Sequence, residues 1–121
     1  MIGYVTLGTN DMERACAFYD ALFGEIGMKR MDWSNGFCWG ASFDSPCLGV
    51  VKPFNGEPAG AGNGCMVAIA VGDHDTVQRL HAKALALGGK DEGAPGPRGD
   101  GFYAGYFRDL DGNKLNAFVL E

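Results

Sequence analysis

Short runs of alternating apolar and polar residues, broken by glycines, are interrupted twice by stretches of helical spacing. In "YVTLGTNDMERACAFYDALFG" (4–24), Val5 and Leu7 alternate with other residues. Ala15, Phe18, Tyr19, Leu22 and Phe23 then recur at three- and four-residue intervals. In "MVAIAVGDHDTVQRLHAKALALGG" (66–89), Val67, Ile69 and Val71 alternate before Val77, Leu80, Ala84 and Leu87 take up helical spacing. Period two predicts a half-buried strand and period 3.6 an amphipathic helix. Asn10-Asp11 and Asp73 or Asp75 offer N-cap carbonyls and carboxylates to the helix starts. Gly24 and Gly88-Gly89 offer stops.

After each helix come three strand-like segments. They are "GMKRMDW", "GFCWGASF" and "PCLGVVKPF" in the first half, and "GKDEGAPG", "GFYAGYF" and "NKLNAFVL" in the second. The pattern is a repeat: two βαβββ modules, about 1–54 and about 65–121, joined by the glycine-rich "NGEPAGAGNG" (55–64) within a single α+β domain. Parity groups the strand residues. Tyr4, Thr6 and Gly8 oppose Val5 and Leu7; Met66, Ala68 and Ala70 oppose Val67, Ile69 and Val71. Leu115 and Ala117 share one face of the last strand, Asn116 and Phe118 the other. An amide on a strand face that ends in phenylalanine either lines a cavity or bonds to a neighbouring strand or to Tyr4, because buried polar groups need partners.

Charge and composition narrow the function. The formal net charge of −5 with no basic run disfavours nucleic acid and anionic membranes as partners. No apolar run is long enough to cross a bilayer, and the N-terminus lacks the basic region of a signal peptide. Cys16, Cys38, Cys47 and Cys65 show no CxxC spacing, which fits free thiols in a cytoplasmic protein. His74, near a helix start, reads as a solvated turn residue. His81, within the second helix, reads as a surface or packing residue rather than a base. Arg98 in "GAPGPR" is either solvated or placed to meet an anionic group. "DLDGN" has its glycine too early for a calcium loop.

The opening "VTLGTNDMERACAFYDALFG", the repeated module and the "FRDLDGNKLNAF" turn resemble the glyoxalase / bleomycin-resistance / extradiol-dioxygenase superfamily, the vicinal oxygen chelate fold. The resemblance covers essentially the whole chain. It implies that each module curls a mixed sheet into a half-barrel around a cleft, with the helices outside. It also implies metal ligands on the first and last strands of each module, at positions matching Tyr4, Met66, Asn116 and a residue near Val50. A phenol, a thioether, an amide and an alkyl group do not make a divalent site, so neither metal nor other cofactor is expected. By the same resemblance Tyr106 faces the cleft. Tyr4, Met66, Tyr106, Asn116 and Phe118, with Arg98 at the mouth, are then the expected ligand-binding residues. The make-up is that of a small-molecule site, apolar with a few polar tips. The expected function is metal-free binding of a small apolar or aromatic molecule by a homodimer. The alternatives are a divergent glyoxalase-type lyase or isomerase, or a related dioxygenase-type enzyme, and a dimer whose cleft is vestigial.

Overall fold

The computed structural model describes residues 1–121. The first module runs β1 (Tyr4–Gly8), α1 (Met12–Gly24), β2 (Lys29–Trp33), β3 (Gly36–Gly40) and β4 (Cys47–Val51). The second runs β5 (Val67–Ala70), α2 (His74–Ala86), β6 (Lys90–Pro97), β7 (Phe102–Arg108) and β8 (Lys114–Leu120). Asp11 and Asp73 are the N-caps, accepting from the backbone N–H of Arg14 and Thr76. Gly88 takes φ +97° just past α2, where a side chain would be strained.

The two sheets have the same order, β1-β4-β3-β2 and β5-β8-β7-β6. In each, the first strand pairs parallel with the last and the other pairings are antiparallel. Parallel pairing requires a crossover, and the intervening helix supplies it. Neither sheet closes on itself, so each is an open half-barrel with a helix on its convex side. The core lies between sheets and helices. Leu48, Val50, Leu115 and Ala117 point into it against Phe18, Tyr19, Leu22, Val77 and Leu80. Parity therefore holds: Tyr4, Thr6, Ala68, Asn116 and Tyr106 stand on the opposite, concave faces. Val50, near which a cleft-facing ligand position was expected, is instead buried in the core. The cleft-facing residues of β4 are Cys47, Gly49 and Val51, with Gly49 in register with Thr6 and Cys38.

Residues 90–97 form a complete edge strand, with register shifts between Asp91 and Gly93 and between Gly93 and Gly96. Pro95 and Pro97 are tolerated because an edge strand leaves one row of N–H groups unpaired.

The two modules are fastened by the "DLDGN" turn. Asp109 accepts from the Tyr19 hydroxyl at 2.6 Å, from the Asp111 and Asn113 backbone N–H groups at 2.9 Å and from Asn113 Nδ2 at 2.9 Å. Asn113 Nδ2 also donates to the Gly8 carbonyl, and Asp111 accepts from the Thr9 hydroxyl, Asn10 N–H and Arg14. The turn of the second module is thus bonded to the end of β1 and the start of α1 in the first. Burial and the neighbouring Asp109 push the Tyr19 phenol well above its ordinary pKa.

Candidate functional site

The largest cleft, about 1070 Å³, covers the concave face of the first sheet. Its floor is Tyr4, Thr6 and Gly8 of β1 with Cys47 and Val51 of β4, and its walls include Trp33, Phe43 and Phe54. The Trp33 ring lies over Gly49, where an added Cβ would come within 2.0 Å of Cζ3. Glycine at 49 therefore lets the indole reach the cleft floor, where it meets Tyr4 edge-to-face with centroids 5.0 Å apart. Tyr4 remains 63% exposed, so this aromatic pair faces the open cleft. The segment after β4 forms the far wall. Asn10 pins it, donating to the Ala59 carbonyl and accepting from its N–H at 3.0 and 2.7 Å. Polar tips at the rim come from Asn35, Asn55 and Ser45. Cys38 lies fully buried under this face; burial and the adjacent Cys47 push its thiol up to about 11.

A second, apolar groove of about 600 Å³ opens between the free edges of β1 and β5. Tyr4, Val5, Ile26, Met28, Met66 and Ile69 contribute to it. A small cavity of about 120 Å³ lies where the modules meet, lined by Thr6 from one concave face and Met66 and Lys114 from the other. Met66 is 43% exposed and stands just before β5.

The expected site residues divide between the two sheets. Tyr4 belongs to the first, and shares only the apolar groove with Met66. Tyr106, Asn116 and Phe118 gather on the second sheet, Tyr106 directly opposite Asn116 in register and Ala104 opposite Phe118. Arg98 lies over the Tyr106 ring, its guanidinium carbon 5.4 Å from the centroid. Sequence reasoning did not single out Trp33 as a cleft residue. Its signal is faint, since only the glycine at 49, on the strand two places away, makes room for the ring.

The two histidines lie on the helix side. His74 stacks on Tyr103 with centroids 3.8 Å apart and bonds to the Glu121 carboxylate. His81 is buried against Gly105, with Nε2 3.0 Å from Asp91 Oδ1. The Gly93 N–H and then His81 hold Asp91 below the usual carboxylate range. Neither imidazole reaches the concave faces. No three His, Cys, Asp or Glu side chains converge as a metal site would need. Tyr4, Met66 and Asn116 offer a phenol, a thioether and an amide from two different sheets, and Gly49 under Trp33 offers nothing. These donors do not fit a divalent transition metal.

Residues 1–117 match the family described as Glyoxalase/Bleomycin resistance protein/Dioxygenase superfamily. Among solved structures, a glyoxalase/bleomycin resistance protein from Albidiferax ferrireducens T118 is 34% identical with a TM-score of 0.92, covering 100% of this chain and 99% of that one. A glyoxalase/bleomycin resistance protein/dioxygenase family enzyme from Burkholderia phytofirmans PsJN is 19% identical with a TM-score of 0.76, covering 98% of each chain. Lactoylglutathione lyase from Agrobacterium tumefaciens is 20% identical with a TM-score of 0.71, covering 98% of this chain and 92% of that one. The last two likenesses are of fold. No curated protein matches the chain in sequence. Two βαβββ half-barrels of like strand order, the family match along nearly the whole chain and the close structural relative agree: the chain belongs to the glyoxalase/bleomycin resistance protein/dioxygenase superfamily.

Proposed function

We propose that this chain is a metal-free member of its superfamily that binds a small apolar or aromatic molecule, and that it does so in the cleft of the first sheet. The observation that carries this is the Tyr4–Trp33 pair, Tyr4 exposed and Trp33 half-buried, in a roomy cleft that Phe43 and Phe54 also line. Flat aromatic surfaces left open to water at the base of a concavity favour a flat apolar guest. The Tyr4 hydroxyl and the rim amides give such a guest a few directional contacts. Met66, unbranched and polarizable, supplies an adaptable wall where the cleft runs towards the apolar groove.

The working assembly in this reading is a cytoplasmic homodimer. The free edges of β1 and β5 and the apolar groove between them support it, since unpaired edges and exposed apolar surface invite a partner. The four cysteines are free thiols, as a reducing compartment maintains them. Sedimentation at micromolar concentration reads the assembly directly, and a monomer there refutes it.

Trp33 is the reporter for the ligand, because Trp39 is buried and bonded to Asp20. In a Trp39→Phe background, titration with neutral aromatics such as 1-naphthol and indole should change Trp33 fluorescence saturably. Tyr4→Ala should weaken binding by about 0.5–1.5 kcal/mol, the contribution of an aromatic contact beyond its area. No saturable change with any neutral aromatic, or binding indifferent to Tyr4→Ala, refutes the assignment. Elemental analysis of untagged protein should give well under one metal ion per chain.

A further inference from the structure

The second sheet carries a feature that the aromatic cleft does not use. The chain has five arginines. Arg14, Arg30, Arg79 and Arg108 each pair with a carboxylate. Arg98 pairs with none, although the chain as a whole carries a net negative charge. Its seat is built by the backbone. Nη2 donates to the Ala94 carbonyl at 2.6 Å and Nη1 to the Pro97 carbonyl at 3.3 Å. A Cβ at Gly93 would come within 3.2 Å of Nη2, and one at Gly96 within 3.2 Å of Nη1. Two glycines and a bulged edge strand thus hold the guanidinium down over Tyr106.

A second cation shares that ring. Lys114 Nζ lies 5.6 Å from the Tyr106 centroid, again with no carboxylate partner. Neither cation forms an ion pair, although Glu92 is near enough to feel the Lys114 charge, and together they favour an anion beside this ring. Beside them, directly opposite Tyr106 in register, Asn116 is only 1% exposed and its Oδ1 is buried with no hydrogen-bond partner. An unpaired buried acceptor is costly and marks a place where a donor is missing. The long side chains of Tyr106 and Lys114 beside it are both partly exposed. Around this polar group the face is apolar and open, with the stacked Phe102–Phe118 pair and the exposed Ala68 and Ala70.

We infer that this face of the second sheet is a site for a small organic carboxylate that carries an apolar body and a hydroxyl or N–H group. The carboxylate accepts charge-assisted hydrogen bonds from the free N–H groups of Arg98 and from Lys114 Nζ. The hydroxyl or N–H donates to Asn116 Oδ1. The apolar body lies along Phe118 and the alanines of β5. This site is separate from the Tyr4–Trp33 cleft and does not rest on the aromatic ligand proposed there.

The probes are benzoate, 2-hydroxybenzoate and phenylacetate, each compared with its neutral amide. Binding is followed by amide chemical shifts and by titration calorimetry. The carboxylates should shift the resonances of Ala68, Tyr106 and Asn116, bind at least about tenfold more tightly than the amides, and weaken with added salt. Among them, 2-hydroxybenzoate should bind most tightly. Arg98→Gln should lower affinity about 10- to 100-fold, with Arg98→Lys between the two. Lys114→Met, which leaves the β6 seat intact, gives an independent loss of several-fold. Tyr4→Ala should change nothing here, which separates this outcome from failure of the aromatic cleft. Equal binding of acids and amides, shifts confined to the first sheet, no binding at millimolar concentration, or unchanged affinity in both folded variants would each overturn the inference.

Discussion

Tyr19→Phe removes one oxygen from the core and tests the fastening of the two modules. The Tyr19 hydroxyl is buried and donates to Asp109 at 2.6 Å across a separation of 90 residues. Hydrogen bonds to a charged acceptor contribute about 1.5–3 kcal/mol. The phenyl ring keeps its packing against Phe18, Phe23 and Trp39, so the cost should lie in that range without a cavity term. For a domain of this size that lowers Tm by roughly 5–15 °C. Asp109→Ala strands the Tyr19 hydroxyl, the Asp111 and Asn113 N–H groups and Asn113 Nδ2 together. Its cost should be about 3–6 kcal/mol, a large share of the 5–15 kcal/mol that typically separates folded from unfolded protein. Urea unfolding of wild type, both single variants and the double variant gives the coupling energy. The same bond has a spectroscopic reading. Because the folded phenol is raised, its stabilising contribution is whole below about pH 10 and is lost as pH climbs through the folded value. Absorbance at 295 nm should show the Tyr19 phenol staying protonated until the chain unfolds. A Tyr19→Phe cost under about 0.5 kcal/mol, or an Asp109→Ala cost no larger than that of Tyr19→Phe, refutes the claim that Asp109 joins the modules.

Gly49→Ala puts a Cβ within 2.0 Å of the Trp33 ring; it should cost about 1–3 kcal/mol, displace the indole from Tyr4 and shift Trp33 fluorescence, whereas an unchanged spectrum and Tm would show the ring is not seated there. With a thiol reagent at pH 8, exposed Cys65 should react first, while Cys38, fully buried and pushed up to about 11, should react only on unfolding; early labelling of Cys38 contradicts its placement. The Thr76 hydroxyl and N–H hold Asp73 below the usual carboxylate range, so its capping contribution is present above pH about 4 and is lost as pH falls through the lower folded value. Asp73→Ala should therefore lower Tm at neutral pH more than at pH 2.5, and an equal effect at both rules out the charge as the cause.

Most of the architecture was legible because it depends on local periodicity and local caps. Period two assigned Leu115 and Ala117 to one face and Asn116 to the other, and the structure buries the first pair in the core. Asn10-Asp11 and Asp73 or Asp75 marked both helix starts, because an N-cap needs only a side chain close to a free N–H, and the structure makes Asp11 and Asp73 the caps. The repeat itself announced two like sheets. Three things needed the tertiary structure. The repeat put Tyr4 in the first module and Tyr106 and Asn116 in the second, but parity does not tell whether the concave faces of two modules join in one cleft; in the folded chain Tyr4 stands on one half-barrel, Tyr106 and Asn116 on the other. "DLDGN" read as a turn, yet its acceptors serve Tyr19, Thr9 and Asn10, contacts about 90 to 100 residues away in the chain that no local pattern encodes. The seats of Trp33 over Gly49 and of Arg98 between Gly93 and Gly96 depend on the absence of a methyl group at the one point where another side chain arrives. In sequence a glycine records freedom of backbone or space for a neighbour alike, and only the packed structure tells which.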